Sequence, residues 1–212
     1  MHVRMNTIFG DRDKTAAVLD YIEGRDRAVV EAALGTGGLA TYADWDSGVV
    51  VAASYWDEPA HSSEAVLTEV RRDVELLAGG TVTAEQYEVT ARVWHSRPGR
   101  GAIVLVHGVQ LESARLDDAV PFLSGVLLPE LAQYERPCIA EILVDRDSSS
   151  AVVLTVWENE HVAGDASPAV EALRARGVEH GVKFVTTTRY TLFGVSQGGV
   201  PGVELWLPPL GP

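Results

Sequence analysis

A chain of 212 residues, 46% apolar and 22% charged, has enough core-forming side chains for one large domain or two small ones. Its 17 basic and 30 acidic side chains give a net charge of −13, and neither half holds a basic surplus. Nucleic-acid binding, which needs Lys and Arg to displace counterions, is therefore not expected. The single cysteine, Cys138, excludes an internal disulfide framework and a cysteine-based zinc site.

The longest apolar segment, Ala102–Val106, is far short of the roughly 20 residues of a membrane-spanning helix. Met1-His2-Val3-Arg4-Met5-Asn6 does not read as a secretory signal. The expectation is a cytoplasmic protein with no membrane partner.

The first predicted strand, Val3–Phe9, is interrupted by the polar Asn6. Helical sequence follows from Asp13 to Leu34, with a break expected at Gly24 and a stop at Gly35-Thr-Gly-Gly38. Strands are predicted at Leu39–Asp44 and Val49–Trp56, joined by an Asp46-Ser-Gly48 turn. Ser62 or Ser63 caps the next helix, with Glu64 in its first turn. There Val66, Val70, Val74 and Leu77 recur at helical spacing, which turns Arg71, Arg72, Asp73 and Glu75 to water. In Glu85–Trp94, Tyr87, Val89, Ala91 and Val93 alternate with Glu88, Thr90 and Arg92, the period of a half-buried strand with Arg92 on its surface face.

Ser96-Arg-Pro-Gly-Arg-Gly101 reads as a linker. The same order then recurs. A strand at Ala102–Val109 carries His107, and a helix at Ala114–Tyr134 has a kink expected at Pro121 or Pro129. Strands Cys138–Asp145 and Ala151–Trp157 follow, then a helix begun by Ser167-Pro168 and a strand at Phe184–Phe193. The tail, Ser196–Pro212, is rich in Pro and Gly and has no period.

Landmarks in the two halves keep a near-constant offset. Trp56 and Trp157 are 101 apart, as are Asn6 and His107, while Tyr87 and Tyr190 are 103 apart. Such an offset is the mark of an internal repeat. The expected fold is α+β: ferredoxin-like β-α-β-β-α-β repeats at 1–95 and 102–195, a linker at 96–101 and a tail at 196–212. Runs apolar on both strand faces, such as Val49–Ala53, call for cover on both sides of each sheet. The simplest cover is sheet-to-sheet packing of the two repeats as an intramolecular pseudo-dimeric α/β barrel, either monomeric or a weak homo-oligomer.

Two stretches, Ser54-Tyr-Trp-Asp-Glu-Pro-Ala60 with Gln86-Tyr-Glu-Val89 and Thr155-Val-Trp-Glu-Asn-Glu160 with Arg189-Tyr-Thr-Leu192, resemble the dimeric α/β-barrel superfamily. Within it they are similar to the antibiotic-biosynthesis-monooxygenase type. The resemblance implies a pocket in which a Trp and an Asn hold an aromatic substrate for attack by O2, without flavin, metal or other cofactor. It implies catalytic roles for Asn6, Trp56, His107 and Trp157, and substrate-binding roles for Tyr87, Arg92 and Tyr190. The sequence departs from family patterns at Ala52 and Val153, where some members carry an Asn four residues before the Trp.

The physical logic of such a site is simple. A substrate that forms a stabilised carbanion reduces O2 itself, so the protein need only desolvate, orient and favour the deprotonated form. The partner implied is a small aromatic or polyphenolic molecule.

The bland readings stand beside these. A strand-end Trp packs well, a polar strand residue is often a satisfied core group, and His61 and His161 read as loop residues. A non-catalytic binding or assembly protein of the same fold is the alternative. Haem binding lacks a ligand, since no His lies between Ser62 and Ala78. Gly194-Val-Ser-Gln-Gly198 matches a hydrolase nucleophile elbow, but no His follows it.

Overall fold

A computed structural model describes residues 1–33, 35–58, 64–159 and 168–196. The chain forms β1 (His2–Phe9), α1 (Thr15–Tyr21), α2 (Arg27–Ala32), β2 (Thr36–Asp44), β3 (Val49–Trp56), α3 (Glu64–Ala78) and β4 (Thr81–Trp94). It continues with β5 (Ile103–Leu111), α4 (Leu116–Phe122), α5 (Leu128–Tyr134), β6 (Ile139–Asp145), β7 (Ser150–Trp157), α6 (Pro168–Glu179) and β8 (Val182–Val195). The expected α+β class and antiparallel strands are present. No helix among the described residues is long and apolar enough to cross a membrane.

The chain divides into two compact units, with boundaries inside β4 and β8 and on either side of Gly99–Gly101. One holds Met1–Tyr87, Gly99–Gly101 and β8 from Tyr190 onward; the other holds Glu88–Pro98 and Ala102–Arg189.

In the first unit the strands run in the order β4-β1-β3-β2-β8. β1 pairs antiparallel with β3, placing Asn6 opposite Ala52. β3 is buried along its length from Val50, so its alternating residues are covered on both faces. One face is covered by helices: Ile8, Val50, Ala52 and Trp56 share a core with Val18, Leu19, Ile22 and Val74. Period-2 alternation puts Asn6 and Ser54 on that same face. At the β2–β3 turn, Gly48 has φ +76°, and a Cβ there would lie 2.7 Å from the Arg12 backbone. The turn in the second unit holds Ser149 at φ 53°, its hydroxyl 2.8 Å from Ser113 Oγ.

The helical stretch before β2 contains a π turn, Ile22–Asp26, where a break at Gly24 is expected from sequence. Its cause is legible in the buried residues. Val18, Ile22, Asp26 and Val30 are each at most 3% exposed and lie four apart. On an ideal α-helix a four-residue step drifts by about 40° per step, so the stripe would rotate away from the sheet. The wider π turn takes up that drift. The second unit repeats the device: Ala119, Leu123, Leu127 and Leu131 are buried four apart around a π turn at Leu123–Leu127. Pro121 and Pro129 flank that turn, but the first unit makes the same turn without proline, so proline is not its cause.

In the second unit the order is β8-β5-β7-β6-β4. Arg92 is a correction to the sequence reading. Its side chain is 4% exposed and pairs at 2.5 Å with Glu141, itself 2% exposed and its register partner across β4 and β6. A strand residue flanked by Ala91 and Val93 looks solvent-facing from its own alternation alone; the neighbouring carboxylate decides otherwise.

Removing one partner from a buried ion pair leaves a desolvated charge, which costs about 3–5 kcal/mol. Glu141→Ala should lower the unfolding free energy in urea by that amount, with Glu141→Leu/Arg92→Met recovering most of it. A loss below about 1 kcal/mol in the single variant would show that the pair is effectively solvated.

Candidate functional site

A cleft opens within the first unit on the helix-covered face of its sheet. Asn6 and Ile8 of β1, Ala52 and Ser54 of β3 and Leu39 of β2 form its floor. Ile22 and Asp26 of the π turn, Val30 of α2, Arg71 and Val74 of α3 and Val82 of β4 complete it. The lining is the usual mixture of a small-molecule site: mainly aliphatic, with a few placed polar groups.

Asp26 is the unusual member. It is 3% exposed, and neither carboxylate oxygen has a hydrogen-bond partner among the described residues. A carboxyl group in such a place resists ionisation. Burial pushes its pKa up to about 7, Asp73 adds to the rise and Arg25 opposes it. Arg25 cannot neutralise it fully, because its Nη1 donates to Asp73 Oδ2 at 2.9 Å and to the Tyr21 hydroxyl at 2.8 Å. Arg71 is likewise engaged, donating through Nη2 to the Val82 carbonyl at 2.6 Å and through Nε to Glu75 at 3.2 Å.

Nothing in the composition of the Asp13–Leu34 stretch marks Asp26, and the sequence reading passes over it. The signal is there in the spacing. Asp26 is the one charged residue in a stripe of apolar residues four apart, and Leu127 holds the corresponding place in the second unit. Ala52 likewise corresponds to Val153. The first unit is thus both more polar and less filled at these positions.

Of the expected catalytic residues, only Asn6 lines this cleft among the described residues. Its Oδ1 accepts a long, 3.4 Å bond from Arg4 Nε. Trp56 is 1% exposed, and its indole N–H donates to Ser54 Oγ at 2.9 Å. Ser54 lies 3.4 Å from the Arg4 carbonyl, to which its hydroxyl donates. Trp157 makes the matching bond to Thr155 Oγ1 at 2.9 Å in the second unit. An indole has one N–H. In both units it is used two residues back on its own strand, so Trp56 acts on the cleft by fixing Ser54.

His107 belongs to the second unit, on β5, 7% exposed. Its Nδ1 lies 2.9 Å from Thr187 Oγ1 and 3.3 Å from Arg174 Nη2. Burial, and after it the Arg174 charge, press its pKa down to about 4, so the ring is neutral at pH 7 and accepts at Nδ1. Tyr87 is buried in β4, and Tyr190 meets Tyr42 edge-on at 5.2 Å, both in the first unit. Neither is among the described residues lining the cleft. Ser196 of the elbow-like motif is held by Arg27 at 2.8 Å and by the Leu39 backbone N–H at 2.7 Å. Ser62, Ser63, His61, Glu160, His161, Ser167 and the tail beyond Ser196 lie outside the described residues. Among the described residues, no group of three or more His, Cys, Asp or Glu side chains is placed to hold a metal ion.

Several solved structures share this fold. A candidate monooxygenase from Lactobacillus acidophilus superposes with a TM-score of 0.68 over 93% of this chain and 96% of its own, at 10% identity. A candidate monooxygenase from Fusobacterium nucleatum gives 0.70 over 93% and 94%, also at 10% identity. An anthrone oxidase-like protein gives 0.66 over 92% of both chains at 14% identity. At 10–14% identity, these likenesses show a shared fold.

In sequence it is 31% identical over 144 residues to uncharacterized proteins from two strains of Mycobacterium tuberculosis. The match covers 67% of this chain, which spans 61% of the length of those relatives. No protein-family model matches the chain.

The Asp26 shift has a definite sign in stability. A carboxyl whose pKa rises from about 3.9 in the unfolded chain to about 7 in the folded one stabilises the fold fully below pH 4. That contribution is lost as the pH rises through 7. His107, neutral in the fold, works the opposite way between pH 6.5 and 4, so the wild-type profile mixes the two. The difference between variants separates them. Asp26→Asn should be more stable than wild type in urea at pH 8, with the gap closing toward pH 4. A gap that does not change with pH would place Asp26 in water.

Proposed function

We propose that this protein oxidises an aromatic or polyphenolic small molecule with O2 in the cleft of its first unit, without a bound cofactor. The observation that carries the reading is the cleft itself: Asn6 and Ser54 sit among Ile8, Ile22, Leu39 and Val74, in the fold shared with the candidate monooxygenases. An aliphatic lining excludes water and seats an aryl body, while the Asn6 amide N–H donates to an oxygen that becomes an enolate. Trp56 holds Ser54 in place beside it. His107 and Trp157 mark a second, degenerate site, and Tyr87, Arg92 and Tyr190 are carried as substrate-contact candidates. The likeness to an anthrone oxidase-like protein supports a polycyclic aryl substrate. The 101-residue offset of the two π turns (123 − 22) supports a duplicated unit in which one copy kept its chemistry.

A second reading, a binding protein of the same fold, is favoured by one observation: both strand-end indole N–H groups are already used within the protein.

Oxygen-electrode measurements with a panel of anthrones and quinols separate the two. On the enzyme reading, wild type consumes O2 with at least one of them, and Asn6→Ala lowers the rate about a hundredfold or more, the scale of a lost oxyanion donor. Trp56→Phe, which removes the N–H that holds Ser54, should cost about tenfold, the scale of one lost hydrogen bond. No turnover on any substrate, with saturable binding of one, would favour the binder.

A further inference from the structure

The proposed chemistry needs a proton acceptor, and Asn6, Ser54 and Trp56 cannot supply one. We propose that Asp26 is that base, and that the substrate presents an acidic CH2 or hydroxyl group to it while an aryl ketone or phenol oxygen faces Asn6. The inference rests on the function proposed above and adds to it the base and the part of the substrate that meets it.

Three independent features point to Asp26. It lines the cleft shared with Asn6. It is 97% withdrawn from solvent, being 3% exposed, and neither carboxylate oxygen has a partner among the described residues. Buried polar atoms are ordinarily paired, so an orphan carboxyl in the wall of a cleft can take its partner from what the cleft receives. The fold also gains nothing from a carboxyl there, since the second unit places Leu127 at the corresponding point of its π turn and packs it into an apolar core. π turns are frequent at functional sites, and here the turn holds Asp26 on the buried stripe.

The charged and titratable groups around it are few. Arg25 precedes it on the π turn, Tyr21 lies one turn back, and Asp73 and Arg71 face it from α3. Arg25 is held by Asp73 and Tyr21, and Arg71 by Glu75 and Val82, so among the described residues no cation holds Asp26 as a fixed ion pair. Its resulting pKa, about 7, matches the operating pH of a general base.

For a substrate with a CH2 beside aryl rings and a conjugated carbonyl, the sequence balances. Asp26 takes a proton from the CH2, breaking the C–H bond, and the electron pair remains on the substrate as an enolate. The enolate passes one electron to O2, and the resulting radical and superoxide join in a C–O bond. The peroxide oxygen regains the proton from Asp26. Loss of water from the hydroperoxide, with the remaining C–H proton, leaves a ketone. One oxygen atom enters the product, the other leaves in water, and Asp26 returns to its carboxylate form.

The test is a pH–rate profile of O2 consumption with an anthrone, for wild type, Asp26→Asn and Asp26→Glu, beside binding of the same anthrone by fluorescence. Wild-type kcat/KM is expected to rise through a pH near 7. Asp26→Asn should fall by about a hundredfold to ten-thousandfold and lose that rise, with Kd within threefold. Asp26→Glu should keep the rise at a reduced rate. Three results would overturn the assignment. If Asp26→Asn keeps both rate and pH profile, Asp26 is not the base and the oxidation reading stands without it. If Asp26→Asn loses binding in proportion to rate, Asp26 holds the substrate and does not deprotonate it. If wild type binds anthrones and quinols but consumes no O2 with any, the oxidation reading fails and the base with it.

Discussion

An orphan carboxyl group on a buried helical stripe is the constraint around which the first unit is organised. Asp26 sits where its helix meets the sheet, between Ile22 and Val30 in the sequence of buried positions. Desolvating a carboxylate without pairing it is among the more expensive things a fold can do, and burial accordingly raises the Asp26 pKa to about 7. The π turn keeps the stripe facing inward, α3 brings Asp73 to engage Arg25, and Ala52 leaves space where Val153 fills it. Each of these choices leaves the carboxyl uncompensated by the protein's own described groups. Active sites are where such local costs are tolerated.

The two strand-end tryptophans show how a correct landmark can carry a different role. Both end their strands as expected. The resemblance gave the Trp a part in holding the substrate. The structure spends the indole N–H on Ser54 and Thr155, residues whose position two back on the same strand face was visible in the sequence. What sequence could not supply is the rotamer that turns each indole toward its own strand. Ser54 then becomes the group through which Trp56 touches the cleft.

Element positions were largely legible. β3 begins and ends where its apolar run does, and the helices fall where the periodicity puts them. The misses have physical reasons. Gly24 and the prolines suggested interruption, whereas a four-residue buried repeat calls for an under-wound helix that continues through them. Arg92 read as surface because alternation within β4 says nothing about Glu141 on β6. Asp26 escaped notice because a single acid in a charged helical stretch looks solvated until its stripe-mates at 18, 22 and 30 are lined up.

The proposed chemistry requires Asp26 to titrate near neutrality beside the cleft. Carbon-detected NMR of the aspartate side-chain carboxyls, followed from pH 3 to 9 with Asp26→Asn to assign the resonance, measures this directly. The expected result is an Asp26 midpoint about 3 units above the roughly 3.9 of an exposed aspartate, moving when an anthrone is added. A midpoint near 4 that ignores the ligand would contradict it.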